Sequence, residues 1–253
     1  MQSKASKAST DLTQILSNLS MFRDKTKEQA EFVITRFDES LEWTRGIEHL
    51  CTVYNKGGVF EPYKPPDHSE PFEAFEVLQT PNHGCGLESM LRHIITRYHK
   101  LADMTMFCQG RIADRQDQPL YPLTWYFTST ETSPIKAYLT DAYDIPTSRY
   151  RWRINQKEYA LDNRNLQEFR EVIGLPYRFM NEIWVRGDWI SVSKELIRSK
   201  PLAYYLFLYK LCQFERGILV EECWFLERSW YSIFTRPLAK SFTYPIYIKD
   251  ILI

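Results

Sequence analysis

The sequence predicts an α/β domain built on a mixed, mostly parallel central sheet flanked by helices. Three observations carry that expectation. Phe32-Val33-Ile34-Thr35, a polar loop, a helical stretch and Thr52-Val53-Tyr54 give the strand, loop, helix, strand order of a βαβ unit. Residues 82–110 run from a small-residue loop into an amphipathic helix, then into a short apolar strand that stops at Gln109-Gly110. Late in the chain, Ile183-Trp184-Val185 and Trp189-Ile190-Ser191-Val192 read as strands on either side of Arg186-Gly187-Asp188, with helical patterns after them.

Residues 1–30 are rich in Ser, Thr, Lys and Gln and hold one weakly amphipathic piece, Leu12, Ile15, Leu16 and Leu19. They read as a polar tail or an appended helix capped by Thr10 or Asp11, with a homo-oligomer contact as one role open to it. Residues 31–253 then form a single domain. Its first strand is followed by Arg36-Phe37-Asp38-Glu39 and a helix over 41–50, and its second ends in the turn Asn55-Lys56-Gly57-Gly58. A proline-rich loop over 61–70 precedes a short strand at Phe75-Glu76-Val77-Leu78.

In the stretch from 82 to 110, Leu87, Met90, Leu91, Ile94, Ile95 and Tyr98 share one helical face, and Glu88, Arg92, Thr96 and Arg97 take most of the other. A loop entering a helix suits an anion, because the N–H groups of the first turn lack partners. A loop past a strand's carboxyl end is where open α/β sheets place ligands. Any helix–strand pair of an α/β domain would look the same. The region from 120 to 181 is aromatic and irregular, with one helix near 165–172, and reads as loops over a site. Helices follow at 194–199, 202–214 and 220–234, and Tyr244-Pro245-Ile246-Tyr247-Ile248 reads as an edge strand.

The totals narrow the function. Lys plus Arg and Asp plus Glu stand at 32 each, so the formal net charge is zero, which argues against general nucleic-acid binding. The five cysteines are scattered and never spaced Cys-x-x-Cys, so neither a disulfide framework nor a zinc site is indicated. No apolar run nears the roughly 18 residues of a membrane span, and the N-terminus lacks a signal-peptide core. A soluble, cytoplasmic protein is the expectation. Gly-x-Ser-x-Gly, phosphate-loop and dinucleotide fingerprints do not occur.

Several residues could carry chemistry. Arg36 suits a phosphate or carboxylate and Glu39 the hydrogen bonds of a ribose or base, although the same loop could cap the next helix. Lys56, at a strand end, could meet a diphosphate or stand solvated in its turn. Asp114 and Asp117, beyond the strand that ends at Gln109, suit a hard cation such as Mg²⁺ or Mn²⁺ or a plain surface turn, and their spacing is Asp-x-x-Asp. Glu227, among Phe225, Leu226 and Trp230, suits a general base with a raised pKa or a buried partner of Arg228. His93, sharing its helix with the apolar face, reads as a structural histidine.

Taken in order, these segments resemble a known family. They are Arg36-Phe37-Asp38-Glu39-Ser40-Leu41-Glu42-Trp43, Tyr54-Asn55-Lys56-Gly57, Asn82-His83-Gly84, His93-Ile94-Ile95, Phe107-Cys108-Gln109-Gly110, Gly187-Asp188-Trp189-Ile190-Ser191-Val192-Ser193 and Glu227-Arg228-Ser229-Trp230. The pattern looks like the small chlorella-virus glycosyltransferases of GT-A fold and a related fungal and viral family. That resemblance implies a Rossmann-like GT-A domain that moves a sugar from a nucleotide-diphosphate sugar to a glycan or other hydroxyl acceptor. It implies Mn²⁺ or Mg²⁺ on Asp114 and Asp117, and a nucleotide-sugar pocket lined by Arg36, Glu39, Asn55, Lys56, Asn82, His83, Gly84 and Gln109. The catalytic carboxylate would be Glu227 or Asp188, and a viral origin would put the protein in host cytoplasm. The alternative is a non-catalytic binding module of the same fold that has lost the metal site.

Overall fold

The computed structural model describes residues 16–17, 19–60, 75–111, 135–141, 151–154, 157–160, 166–175, 183–212, 214–218 and 221–243. Its centre is a six-stranded sheet in the order β3-β2-β1-β4-β8-β5. These strands are β1 (Ala30–Arg36), β2 (Cys51–Asn55), β3 (Glu76–Gln79), β4 (Met104–Gln109), β5 (Ile135–Asp141) and β8 (Ile183–Ser193). β1 pairs in parallel with both β2 and β4, and β2 with β3, whereas β8 runs antiparallel to β4 and β5. The sheet is therefore mixed and mostly parallel, as expected. A separate two-stranded ribbon, β6 (Arg151–Ile154) with β7 (Lys157–Ala160), lies in the region expected to be loops, as does β5.

The strands form where apolar side chains alternate between two covered faces. Val33, Tyr54, Phe107, Ile190 and Val192 face a helical layer made of α1 (Cys85–Arg97), α2 (Leu166–Val172), α3 (Lys194–Arg198), α4 (Leu202–Cys212) and α5 (Glu221–Thr235). Leu87, Leu91 and Ile94 of α1, Tyr205 and Leu208 of α4, and Leu226 and Trp230 of α5 fill that layer. Phe32, Ile34, Cys51, Val53, Met106, Cys108 and Trp189 face the other way.

That second face has a different cover from the one expected. Residues 41–50 make two 3-10 turns, Glu42–Thr44 and Glu48–Leu50, in place of a helix. Gly46 between them has φ +87, outside helical space, and breaks the run. Leu41, Trp43, Ile47 and Leu50 still pack beneath the sheet, and Leu19 and Phe22 of the N-terminal segment complete the layer. Phe22 meets Phe32 edge-on at 5.3 Å. Part of the segment expected as an appendage is thus core.

Ile183–Ser193 is one strand, where two had been expected around Arg186-Gly187-Asp188. The interruption survives as a register shift against β5 between Ala137 and Leu139, so the chain bulges there without leaving the sheet. The edge strand expected at 244–248 lies outside the described residues.

Beneath α1 the helical face holds a buried polar group. Thr52 Oγ1 donates to Glu31 Oε1 at 2.6 Å, His93 Nε2 lies 3.3 Å from Glu31 Oε2, and His93 Nδ1 lies 3.3 Å from the Tyr54 hydroxyl. His93 is thus the structural histidine that its helix position suggested. Burial pushes the Glu31 carboxyl up, but the hydrogen bond and charge of His93, the Thr52 hydroxyl and the Lys27 ammonium hold it below its ordinary 4.5. A depressed carboxyl pKa adds stability above 4.5, and that stability is lost as the pH falls through the folded-state value. Unfolding free energies measured from about pH 6 down to about pH 3 should fall in this window, and Glu31→Gln should flatten the decline.

Candidate functional site

Strand order turns at the gap between β1 and β4. β2 and β3 continue to one side of β1, and β4 starts the other, which is the topological switch where open α/β sheets bind ligands beyond their carboxyl ends. Those ends are Arg36, Asn55, Gln79 and Gln109.

Arg36, Asn55 and Gln79 stand in register, so their side chains share one row on the face opposite α1. Hydrogen bonds run along the row. Arg36 Nη1 donates to Asn55 Oδ1 at 2.7 Å, and Asn55 Nδ2 donates to Gln79 Oε1 at 2.7 Å and to the Gly58 carbonyl at 2.6 Å. Gln79 Nε2 closes on the Gly57 carbonyl at 3.0 Å. Asn55 is fully buried, and both its amide groups are engaged. Asn55, expected in the pocket lining, thus holds Arg36 and the turn after β2 with both its amide groups.

Arg36 Nε reaches the Glu39 carbonyl at 2.8 Å, and its guanidinium sits 5.0 Å from the Phe60 ring centroid. Its Nη2 engages no described residue. Glu39 curls back so that Oε2 accepts from the Phe37 N–H at 2.7 Å and the Asp38 N–H at 3.3 Å, leaving Oε1 without a partner among the described residues. Gly110 leaves room for this placement, since a Cβ there would lie 3.1 Å from Glu39 Oε2. The Gly110 N–H donates to the Thr35 carbonyl at 2.7 Å, and its carbonyl accepts from Trp43 Nε1 at 2.9 Å. Residues far apart in the chain thereby fix one carboxylate and one guanidinium at the switch point.

Lys56 does not reach this edge. Only 5 % exposed, its ammonium donates to the Pro81 carbonyl at 3.2 Å, the His83 carbonyl at 2.7 Å and Glu88 Oε2 at 2.7 Å. All three of its N–H groups are taken, so the expected diphosphate contact is replaced by a tether on the loop between β3 and α1. Burial pushes the Lys56 pKa down against the pull of Glu88. Glu88, expected on the polar face of α1, is buried because α4 packs there. Its Oε1 accepts from Arg92 Nε at 2.6 Å and from the Tyr209 hydroxyl at 2.8 Å. Burial and the Glu88 charge push the Tyr209 pKa up.

Gly84 is also withdrawn. Its N–H donates to the Gly217 carbonyl at 3.1 Å, and the Phe214 ring lies 2.2 Å from where its Cβ would be. With φ +61 and that ring in place, residue 84 accepts only glycine, and the loop at 214–218 covers the start of α1. Gly84 itself is therefore withdrawn from the anion site expected there. Asn82, His83 and Gln109 are half-buried, and none of their side chains bonds a described residue.

Asp188 belongs to β8. Phe107 pairs with Ile190, so Asp188 lies two residues further toward the carboxyl edge of β4. Glu227 sits within α5, 8 % exposed, with Oε2 3.9 Å from Arg228 Nη1. Cys223 Sγ, one turn earlier in α5, already reaches the Gly84 carbonyl at 3.6 Å, so Glu227 lies roughly 6 Å deeper along the helix. Asp114 and Asp117 fall outside the described residues, and among those described no group of three metal-ligating side chains occurs. No helix among the described residues is long and apolar enough to cross a membrane.

Gln79 and Glu88 carried no sequence signal of their own. Gln79 becomes visible only through its register with Asn55, and Glu88 only through a lysine far along the chain. No family model, curated protein or solved structure matches this chain.

The buried charges predict an order of stabilities. Glu88→Gln strands the Lys56 ammonium and should cost about 3–5 kcal/mol. Lys56→Met should cost less, because Arg92 and Tyr209 still hold Glu88. Urea titrations of both variants check this, and equal losses would contradict the tether.

Proposed function

We propose that this chain is a nucleotide-diphosphate-sugar-dependent glycosyltransferase of GT-A fold. One observation carries the reading. Arg36, Glu39, Trp43, Asn55 and Gly110 belong to three separate motifs of the resemblance, and they meet at the switch point: Arg36 bonds Glu39 and Asn55, Trp43 bonds Gly110, and Glu39 lies against Gly110. Among the described residues nothing bonds two groups that a nucleotide needs, an acceptor at Glu39 Oε1 and a cationic donor at Arg36 Nη2.

In the proposed reaction the acceptor hydroxyl oxygen bonds to the anomeric carbon, whose bond to the diphosphate oxygen breaks, and the nucleoside diphosphate leaves. Glu39 accepts hydrogen bonds from the ribose or base, and Arg36 faces the anionic part of the donor. Asp114 and Asp117 would hold Mn²⁺ or Mg²⁺, which when bound offsets charge on the departing diphosphate. In an inverting transfer Asp188 takes the hydroxyl proton. Its place toward the carboxyl edge suits that role better than the deeper, ion-paired Glu227. Lys56 and Asn55 act behind the site by holding the loop and the guanidinium.

Thermal unfolding with UDP- and GDP-sugars, with and without Mn²⁺, tests the proposal. A donor at about a hundred times its dissociation constant should add about 2.7 kcal/mol, a rise of a few degrees. Sugar hydrolysis or transfer should accompany it, and the paired exchange of Asp114 and Asp117 for Asn should abolish turnover. Binding that survives that exchange, with no turnover in the parent, would favour the non-catalytic module. No response to any donor would sink both readings.

A further inference from the structure

We infer that Phe37 is the platform that seats the aromatic base of the nucleotide, an assignment that rests on the nucleotide-binding reading of the switch point. Phe37 is the first residue past β1 and is 48 % exposed, and no other phenylalanine among the described residues is exposed. Its backbone is nonetheless fixed. The N–H donates to Glu39 Oε2 at 2.7 Å, and the carbonyl accepts from Arg36 Nη1 at 3.3 Å. The glycine turn after β2 presses against the same carbonyl, which would lie 1.6 Å from a Cβ on Gly57. An exposed ring on so firm a mount keeps apolar surface in water, and it binds a flat partner without first having to be ordered.

The surroundings decide what that partner is. Phe37 is followed by Asp38, Glu39 and Ser40 and preceded by Arg36, and the adjoining turn adds the exposed Val59 and the half-buried Phe60 under Arg36, so the exposed ring stands in a small, mostly polar neighbourhood and not on a broad apolar surface. The carboxylate that bonds the Phe37 amide is the one whose Oε1 has no partner among the described residues, and the neighbouring Arg36 offers Nη2. An exposed ring, on a residue whose own amide and carbonyl are bonded by that carboxylate and that guanidinium, matches a nucleobase or nucleoside and exceeds what a bare diphosphate requires.

The test is calorimetric titration of the full chain with UDP, GDP, ADP and inorganic pyrophosphate in the presence of Mn²⁺, for the parent, Phe37→Ala and Phe37→Tyr. The parent should bind at least one nucleoside diphosphate more tightly than pyrophosphate. Phe37→Ala should weaken that nucleotide roughly ten- to a hundredfold while leaving pyrophosphate affinity and the thermal midpoint unchanged, and Phe37→Tyr should restore it. Unchanged nucleotide affinity in Phe37→Ala, or equal affinity of the parent for nucleotide and pyrophosphate, would overturn the base platform and leave the glycosyltransferase reading standing. Binding of none of the probes by the parent would overturn both.

Discussion

The carboxyl edge of the sheet depends on one buried amide. The Asn55 side chain takes a hydrogen bond from Arg36 and gives two, to Gln79 and the Gly58 carbonyl, while its backbone carbonyl accepts from the Thr80 N–H. Strand ends in a parallel sheet leave polar groups that water or side chains must satisfy. Here one fully buried residue spans β1, β2, β3 and the turn after β2. With Asn55 in place, Arg36 has one orientation, and Glu39 and Phe37 inherit their positions from Arg36. An aspartate at 55 would lose both donors, so its cost would appear at the site as well as in stability.

The two faces of the sheet divide the labour. The helical face carries the larger core and two buried polar groups, Glu31 with Thr52 and His93, and Lys56 with Glu88. Such groups add little net stability, yet breaking either would leave a buried polar or charged group without its partner, so they specify the packing of α1. The opposite face is covered by 3-10 turns and by Leu19 and Phe22, and from this looser cover Trp43 reaches across to Gly110. Glu39 is the start of that cover. The candidate site is thus assembled by irregular chain leaning on a regular sheet, which lets a carboxylate lie over a strand end.

Much of this was legible in the sequence. Short apolar, β-branched runs placed β1, β2 and β4, the three- and four-residue spacing placed α1, and strand ends put Arg36, Glu39 and Gln109 on one edge. What escaped has physical causes. Gly46 reads locally as a tolerated helix residue, but it adopts a positive φ, with the distant Arg23 side chain 3.0 Å from where its Cβ would be. Lys56 and Glu88 are 32 residues apart, so neither local pattern reveals that each buries the other. Gly84 looked like an open anion loop because the Phe214 ring that fills it comes from a distant turn. The corrections fall where a long-range partner decides burial, and strand or helix identity survives because short-range periodicity decides it.

The central claim is that the switch point between β1 and β4 is a nucleotide site. A crystal of the full chain soaked with a nucleoside diphosphate and Mn²⁺ tests it most directly. The account predicts a nucleotide lying beyond Arg36 and Gln109, with Glu39 Oε1 and Arg36 Nη2 each at hydrogen-bond distance, about 3 Å, from it. A nucleotide seated anywhere else on the chain, or an empty edge at saturating ligand, would contradict it.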